Sequence, residues 1–64
     1  MGKGAIRTLT YALLGDVSVY INSARTHLSR GTDESDIGAE QAMLKALDAL
    51  KKAEATLVSG KVQG

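Results

Sequence analysis

The sequence has 64 residues and a formal net charge of +1, with no cysteine and a single histidine, His27. Disulfides, thiolate metal sites and multi-histidine sites are therefore excluded, and the near-neutral balance argues against the strongly basic field of a non-specific nucleic-acid binder. A chain this short holds one domain with a thin core, so its stability must come from well-packed helices and from association.

Proline, phenylalanine and tryptophan are absent, and leucine, alanine, valine and isoleucine dominate an apolar content of 44%. That mixture favours helix over sheet. No stretch is apolar for the roughly 18 residues that a membrane span needs; the best candidate, 9–21, contains Asp16. The expected location is cytoplasmic, with no membrane partner.

The first predicted element is a helix over 5–30, preceded by a frayed 1–4. Ile6, Thr10, Leu13, Val17, Tyr20 and Ala24 alternate steps of four and three, the spacing of residues that face a packed helix. Leu9, Leu14, Ile21 and Leu28 widen this seam beyond what one partner helix covers. A second seam of the same spacing, Thr8, Ala12, Gly15, Val19, Asn22 and Thr26, is built of small residues and reads either as a solvated face or as a place of close approach.

A turn follows at Arg30-Gly31-Thr32. Gly31 suits the left-handed conformation that ends a helix, and Thr32 is the expected N-cap of the next one, with Asp33 or Ser35 as alternatives. Asp33, Glu34 and Asp36 place negative charge where the second helix's dipole favours it. So short a connection allows only antiparallel neighbours.

The second predicted helix covers 33–59, with Gly60 as its stop and 61–64 frayed. Met43, Leu47, Leu50 and Leu57 form a leucine ridge, joined by Ile37, Leu44 and Val58 on one flank; Ala42, Ala46, Ala49 and Ala53 form an alanine stripe on the other. Lys45, Asp48, Lys52 and Gln41 make the polar arc, with Asp48 and Lys52 in the favourable i,i+4 order.

The fold expected is all-α: a single domain over 1–64, an antiparallel two-helix hairpin that associates into a homodimeric four-helix bundle or a higher helical oligomer. Each helix carries more apolar surface than one partner can cover, so the expected oligomer or partner interface comprises Leu13, Val17, Tyr20 and Ile21 of the first helix. From the second helix it takes Met43, Leu47, Leu50, Leu57, Ala46, Ala49 and Ala53.

No catalytic constellation is present. His27 has Ser23 and Ser29 nearby but no nucleophile–base–acid arrangement, and reads as a capping or surface residue. The acidic cluster at 33–36 lacks a calcium-loop pattern, and Gly2-Lys3-Gly4 is not a phosphate loop. No cofactor and no metal are expected, and the chain reads as non-enzymatic. The line Arg7, Tyr11, Ser18 and Arg25, in steps of four and seven, is the candidate ligand site: arginine beside tyrosine can hold a phosphate and stack a base. The alternative is an ordinary solvated edge beside the core.

In size and layout, two helices joined through Leu28-Ser29-Arg30-Gly31, the chain resembles the short hairpin co-chaperones of type III secretion needle subunits. Small phage proteins that block host defence enzymes share this shape. That resemblance implies an adaptor, co-chaperone or inhibitor that clasps a client helix in its groove. The alternative class is a nucleotide- or RNA-binding helical oligomer. Plasmid RNA-binding four-helix bundles are built from such hairpins, and Lys52-Ala53 near the end of a leucine-rich helix is similar to phage proteins that sequester cyclic nucleotides as oligomeric sponges. A purely structural oligomerisation module is the third class.

Overall fold

In the computed structural model, which describes residues 2–63 and, of 61–63, the backbone alone, the chain forms two helices. Helix α1 spans Lys3–Arg30 and α2 spans Asp33–Gln63. They lie antiparallel as a hairpin of 47 × 14 × 10 Å, with a radius of gyration of 14.7 Å. A compact chain of this length would have a radius of about 11 Å, so the molecule is a rod one helix pair thick. Among the described residues no helix is long and apolar enough to cross a membrane.

The turn forms as its residues dictate. Gly31 adopts φ 69°, ψ 29°, and its N–H donates to the Leu28 carbonyl at 3.2 Å, closing the end of α1. Arg30 lies in that last turn, where its positive charge complements the carbonyl end of the helix. Thr32 is the cap of α2. The Ser35 N–H donates to Thr32 Oγ1 at 3.1 Å, and the Thr32 N–H donates to Ser35 Oγ at 3.0 Å. This is a reciprocal capping box with serine where glutamate is usual, and it lets the buried Ser35 sit at the closed end of the hairpin without an orphaned hydroxyl.

The interface between the helices joins unlike surfaces. From α1 come Ile6, Thr10 and Ala24, buried, with Leu13, Val17 and Tyr20 half-buried. This is the whole predicted first seam. Thr10 is tolerated there because its hydroxyl donates to the Ile6 carbonyl at 2.8 Å within the helix. From α2 come Ala39, Ala42, Ala46, Ala49 and Ala53, all buried, and Ala39 is completely so. Large side chains on one helix thus lie against a flat alanine surface on the other, the large-to-small complementarity that lets helix axes approach closely. No large side chain is fully buried.

Both helices extend beyond the predicted limits at the free end of the hairpin. Helix α1 begins at Lys3 rather than residue 5, and α2 continues to Gln63 rather than ending at 59. The predicted stop at Gly60 is therefore corrected. Gly60 has no positive φ and lies buried inside the helix; a Cβ placed there would fall 2.7 Å from Ile6 Cδ1 and Cγ2. Its missing side chain serves close approach, not chain reversal. Of the predicted frayed ends, Met1 and Gly64 lie outside the described residues.

Gly38 works like Gly60 at the other end. A Cβ there would lie 2.8 Å from His27 Nδ1, so the imidazole packs directly on the α2 backbone. His27 is thus a half-buried packing residue, and its Nδ1 has no hydrogen-bond partner. Gly15, by contrast, has nothing within 4 Å of a built Cβ, and every member of the small-residue seam of α1 is exposed.

Three glycine substitutions separate these roles. Gly31→Ala should destabilise the hairpin by about 1–2 kcal/mol, because alanine resists the left-handed conformation. Gly60→Ala should destabilise it by about 1–3 kcal/mol through overpacking on Ile6. Gly15→Ala, in open space, should stabilise it by up to about 1 kcal/mol from helix propensity. Denaturant melts followed by circular dichroism give all three.

Candidate interaction face

Burying the alanine stripe of α2 decides where its leucines go. Met43, Leu50 and Leu57 recur every seven residues with Leu47 between them, one step round the helix from the alanines. On α1, Leu14, Ile21 and Leu28 also recur every seven residues, one step round from the buried seam. The helices are antiparallel, so these two rows flank the same side of the hairpin and merge into one apolar face. Its seven side chains are 38–52% exposed.

The opposite side mixes charged and apolar groups. Leu13, Asp16 and Tyr20 of α1 with Leu44, Lys45, Asp48, Ala49 and Lys52 of α2 line an open cleft of about 380 Å³, and the exposed Leu9 lies in the same seven-residue row as Asp16. Tyr20 also borders a second cleft, of about 340 Å³, with Ser23, His27, Gln41 and Lys45. The predicted Asp48–Lys52 pair forms at 3.1 Å, with both side chains about two-thirds exposed, so it contributes little to stability.

The predicted interface residues divide between these surroundings. Ala46, Ala49 and Ala53 are buried against α1, and Leu13, Val17 and Tyr20 lie half-buried on the matching side of α1. The three alanines are covered by α1 and belong to the hairpin's own interface, whereas Leu13, Val17 and Tyr20 contribute to it while keeping part of their surface open. The reason is close packing: the alanines admit the neighbouring helix, and the bulkier leucines do not. Ile21, Met43, Leu47, Leu50 and Leu57 remain exposed, as an interface with another molecule requires.

The predicted ligand line, Arg7, Tyr11, Ser18 and Arg25, is exposed along its whole length, and Tyr11 is 82% exposed. It runs along the outer edge of the apolar face. Arg7 borders an open cavity of about 260 Å³ at the free end of the hairpin, with Lys3, Ile6, Leu57 and Gly60. Among the described residues no group of three or more metal-ligating side chains comes together.

A second apolar strip was less evident from sequence as a separate feature. Ile37, Leu44 and Val58, each more than half exposed, lie on the outer side of α2, with Lys51 interrupting the same seven-residue row. On α1, Val19 is similarly exposed.

The total accessible surface is 4814 Å². A compact monomer of 6.7 kDa would expose about 3,900 Å². The hairpin therefore exposes about 900 Å² more than a compact monomer, as its rod shape requires. Comparison with protein-family models, with curated proteins and with solved structures finds no significant match in any of the three.

The two stripes of α2 make opposite predictions on substitution. Ala46→Leu should destabilise the hairpin by about 1–3 kcal/mol by forcing the helices apart. In protein dilute enough to be monomeric, Leu47→Ala should change stability by about 1 kcal/mol or less, since about half of that side chain stays in water. Equal effects would mean that the hairpin packs on its leucines.

Proposed function

We propose that this hairpin is a non-enzymatic binding module that works as a homo-oligomer and engages another protein as an adaptor, co-chaperone or inhibitor. The observation that carries this reading is the apolar face of Leu14, Ile21, Leu28, Met43, Leu47, Leu50 and Leu57, left uncovered by a hairpin that closes on alanine. A soluble monomer rarely leaves such a contiguous surface open, and its usual purpose is to receive another helix. The strip of Ile37, Leu44 and Val58 offers a second contact on the outside of α2, which an oligomer built on the main face would leave free.

The alternative, a nucleotide- or RNA-binding oligomer, rests on Arg7, Tyr11, Ser18 and Arg25. Those side chains have the right chemistry but line no enclosed site. A base stacked on Tyr11 would remain largely in water, where stacking and phosphate contacts are weak. The protein-binding reading is therefore preferred.

Affinity capture from host lysate tests it with two surface variants. Ile37→Glu with Leu44→Glu should abolish capture of a discrete partner while self-association persists; Leu47→Glu with Leu50→Glu should disrupt self-association and reduce capture. Capture indifferent to both pairs would contradict the proposal. Nucleotides and short RNAs should leave the thermal midpoint unchanged. A stabilisation that Arg7→Ala and Arg25→Ala remove would move the assignment to the nucleotide class.

A further inference from the structure

We propose that the apolar face is covered by a second copy of this chain, docked face to face about a two-fold axis parallel to the helices, so that α1 of each copy lies along α2 of the other. The inference rests on the reading of the hairpin as an oligomeric module and specifies its geometry. The observations that carry it are the contiguous, half-exposed apolar face and the distribution of charge along its two edges.

The edges carry opposite charge. Next to Leu14, Ile21 and Leu28, the rim of α1 bears Lys3, Arg7 and Arg25; next to Met43, Leu47 and Leu50, the rim of α2 bears Asp36, Glu40 and Glu54, and the row of Glu40 and Glu54 ends on Lys61 at the free end of the hairpin. Lys51 lies further round α2, towards its outer strip. None of these rim side chains forms an ion pair within the hairpin, where Asp48–Lys52 is the one pair among the described residues. A two-fold interface brings a surface against itself, and two such arrangements place this face on its own copy. With the axis perpendicular to the helices, α1 lies over α1 and α2 over α2, so basic rim meets basic rim and acidic meets acidic. With the axis parallel to the helices, each basic rim meets an acidic one, and every neighbouring pair in the resulting four-helix bundle is antiparallel. Like charges face to face are a strong selector against wrong arrangements.

The register agrees with the parallel axis. Ile6 sits against Gly60 and His27 against Gly38, which puts Arg25 level with the segment Glu40-Gln41. A two-fold parallel to the helices preserves that level, so Arg25 of one copy falls beside Glu40 of the other. By the same register Arg7 is level with Ser59, and Glu54 of the other copy lies five residues along, about 7.5 Å in helix rise, within reach of two long side chains.

The test is sedimentation equilibrium on the whole chain, followed by disulfide trapping. The native protein should be a dimer at micromolar concentration. Glu40→Arg with Glu54→Arg, both at exposed positions, should weaken the dimer at least tenfold while helical content is kept. Adding Arg7→Glu and Arg25→Glu to the same chain should restore it. A restored dimer shows that the first variant lost pairing, not folding. Because the native chain has no cysteine, single replacements give clean trapping: a Ser18→Cys chain should crosslink to a Leu47→Cys chain and not to itself, since the two α1 helices lie diagonally across the bundle. A monomeric native chain, a dimer unaffected by the rim reversal, or efficient self-crosslinking of the Ser18→Cys chain would each overturn the proposal. A monomer that still captures a client through Ile37 and Leu44 would separate the failure of this geometry from that of the functional reading.

Discussion

The architecture depends on the contact between α1 and the alanine stripe of α2. Ala39, Ala42, Ala46, Ala49 and Ala53 present almost no side-chain relief, so the bulkier seam of Ile6, Leu13, Val17 and Tyr20 can lie close against the α2 backbone. Gly38 and Gly60 extend that smooth surface to both ends, where His27 and Ile6 rest directly on the helix. Gly31 and the Thr32–Ser35 capping box hold the two helices in this register. Once α1 occupies the alanines, the leucines of α2 must point elsewhere, and the apolar face follows as a consequence.

That contact also offers the hairpin little hydrophobic stabilisation by itself. Alanine removes little apolar area from water, and hydrophobic stabilisation scales with the area removed. The side chains able to contribute most, Met43, Leu47, Leu50, Ile21 and Leu28, are only half covered. Close approach of the helices and a large stabilising core are therefore separated in this molecule: the first is intramolecular, and the second becomes available when the face is covered. Association would then be coupled to stability, so that oligomeric state and folding respond together to concentration.

Much of the hairpin was legible in the residues. The four–three alternation of Ile6, Thr10, Leu13, Val17, Tyr20 and Ala24 marks the packed face of α1 by its larger side chains, and the turn is announced by glycine followed directly by a cap residue and three acidic side chains. Helix α2 was harder, because it is apolar on two sides and periodicity identifies faces without saying which of them meet. That choice depends on interhelical distance, which alanine permits and leucine forbids; assigning Ala46, Ala49 and Ala53 to an external interface missed this. Gly60 was misread for a related reason: glycine ends a helix when cap chemistry follows it, as after Gly31, and otherwise allows close contact, as against Ile6. The basic and acidic rims were visible as residues, but not as two edges of one surface until the pairing of faces was known.

The central claim is that the hairpin closes on alanine and leaves its leucines to a second copy lying alongside it. Small-angle X-ray scattering of the native chain addresses mass and shape together. The account predicts a particle of twice the 6.7 kDa chain mass whose long dimension stays near 47 Å, because side-by-side docking thickens the rod without lengthening it. A particle of single-chain mass, or one of doubled mass and markedly greater length, would contradict it.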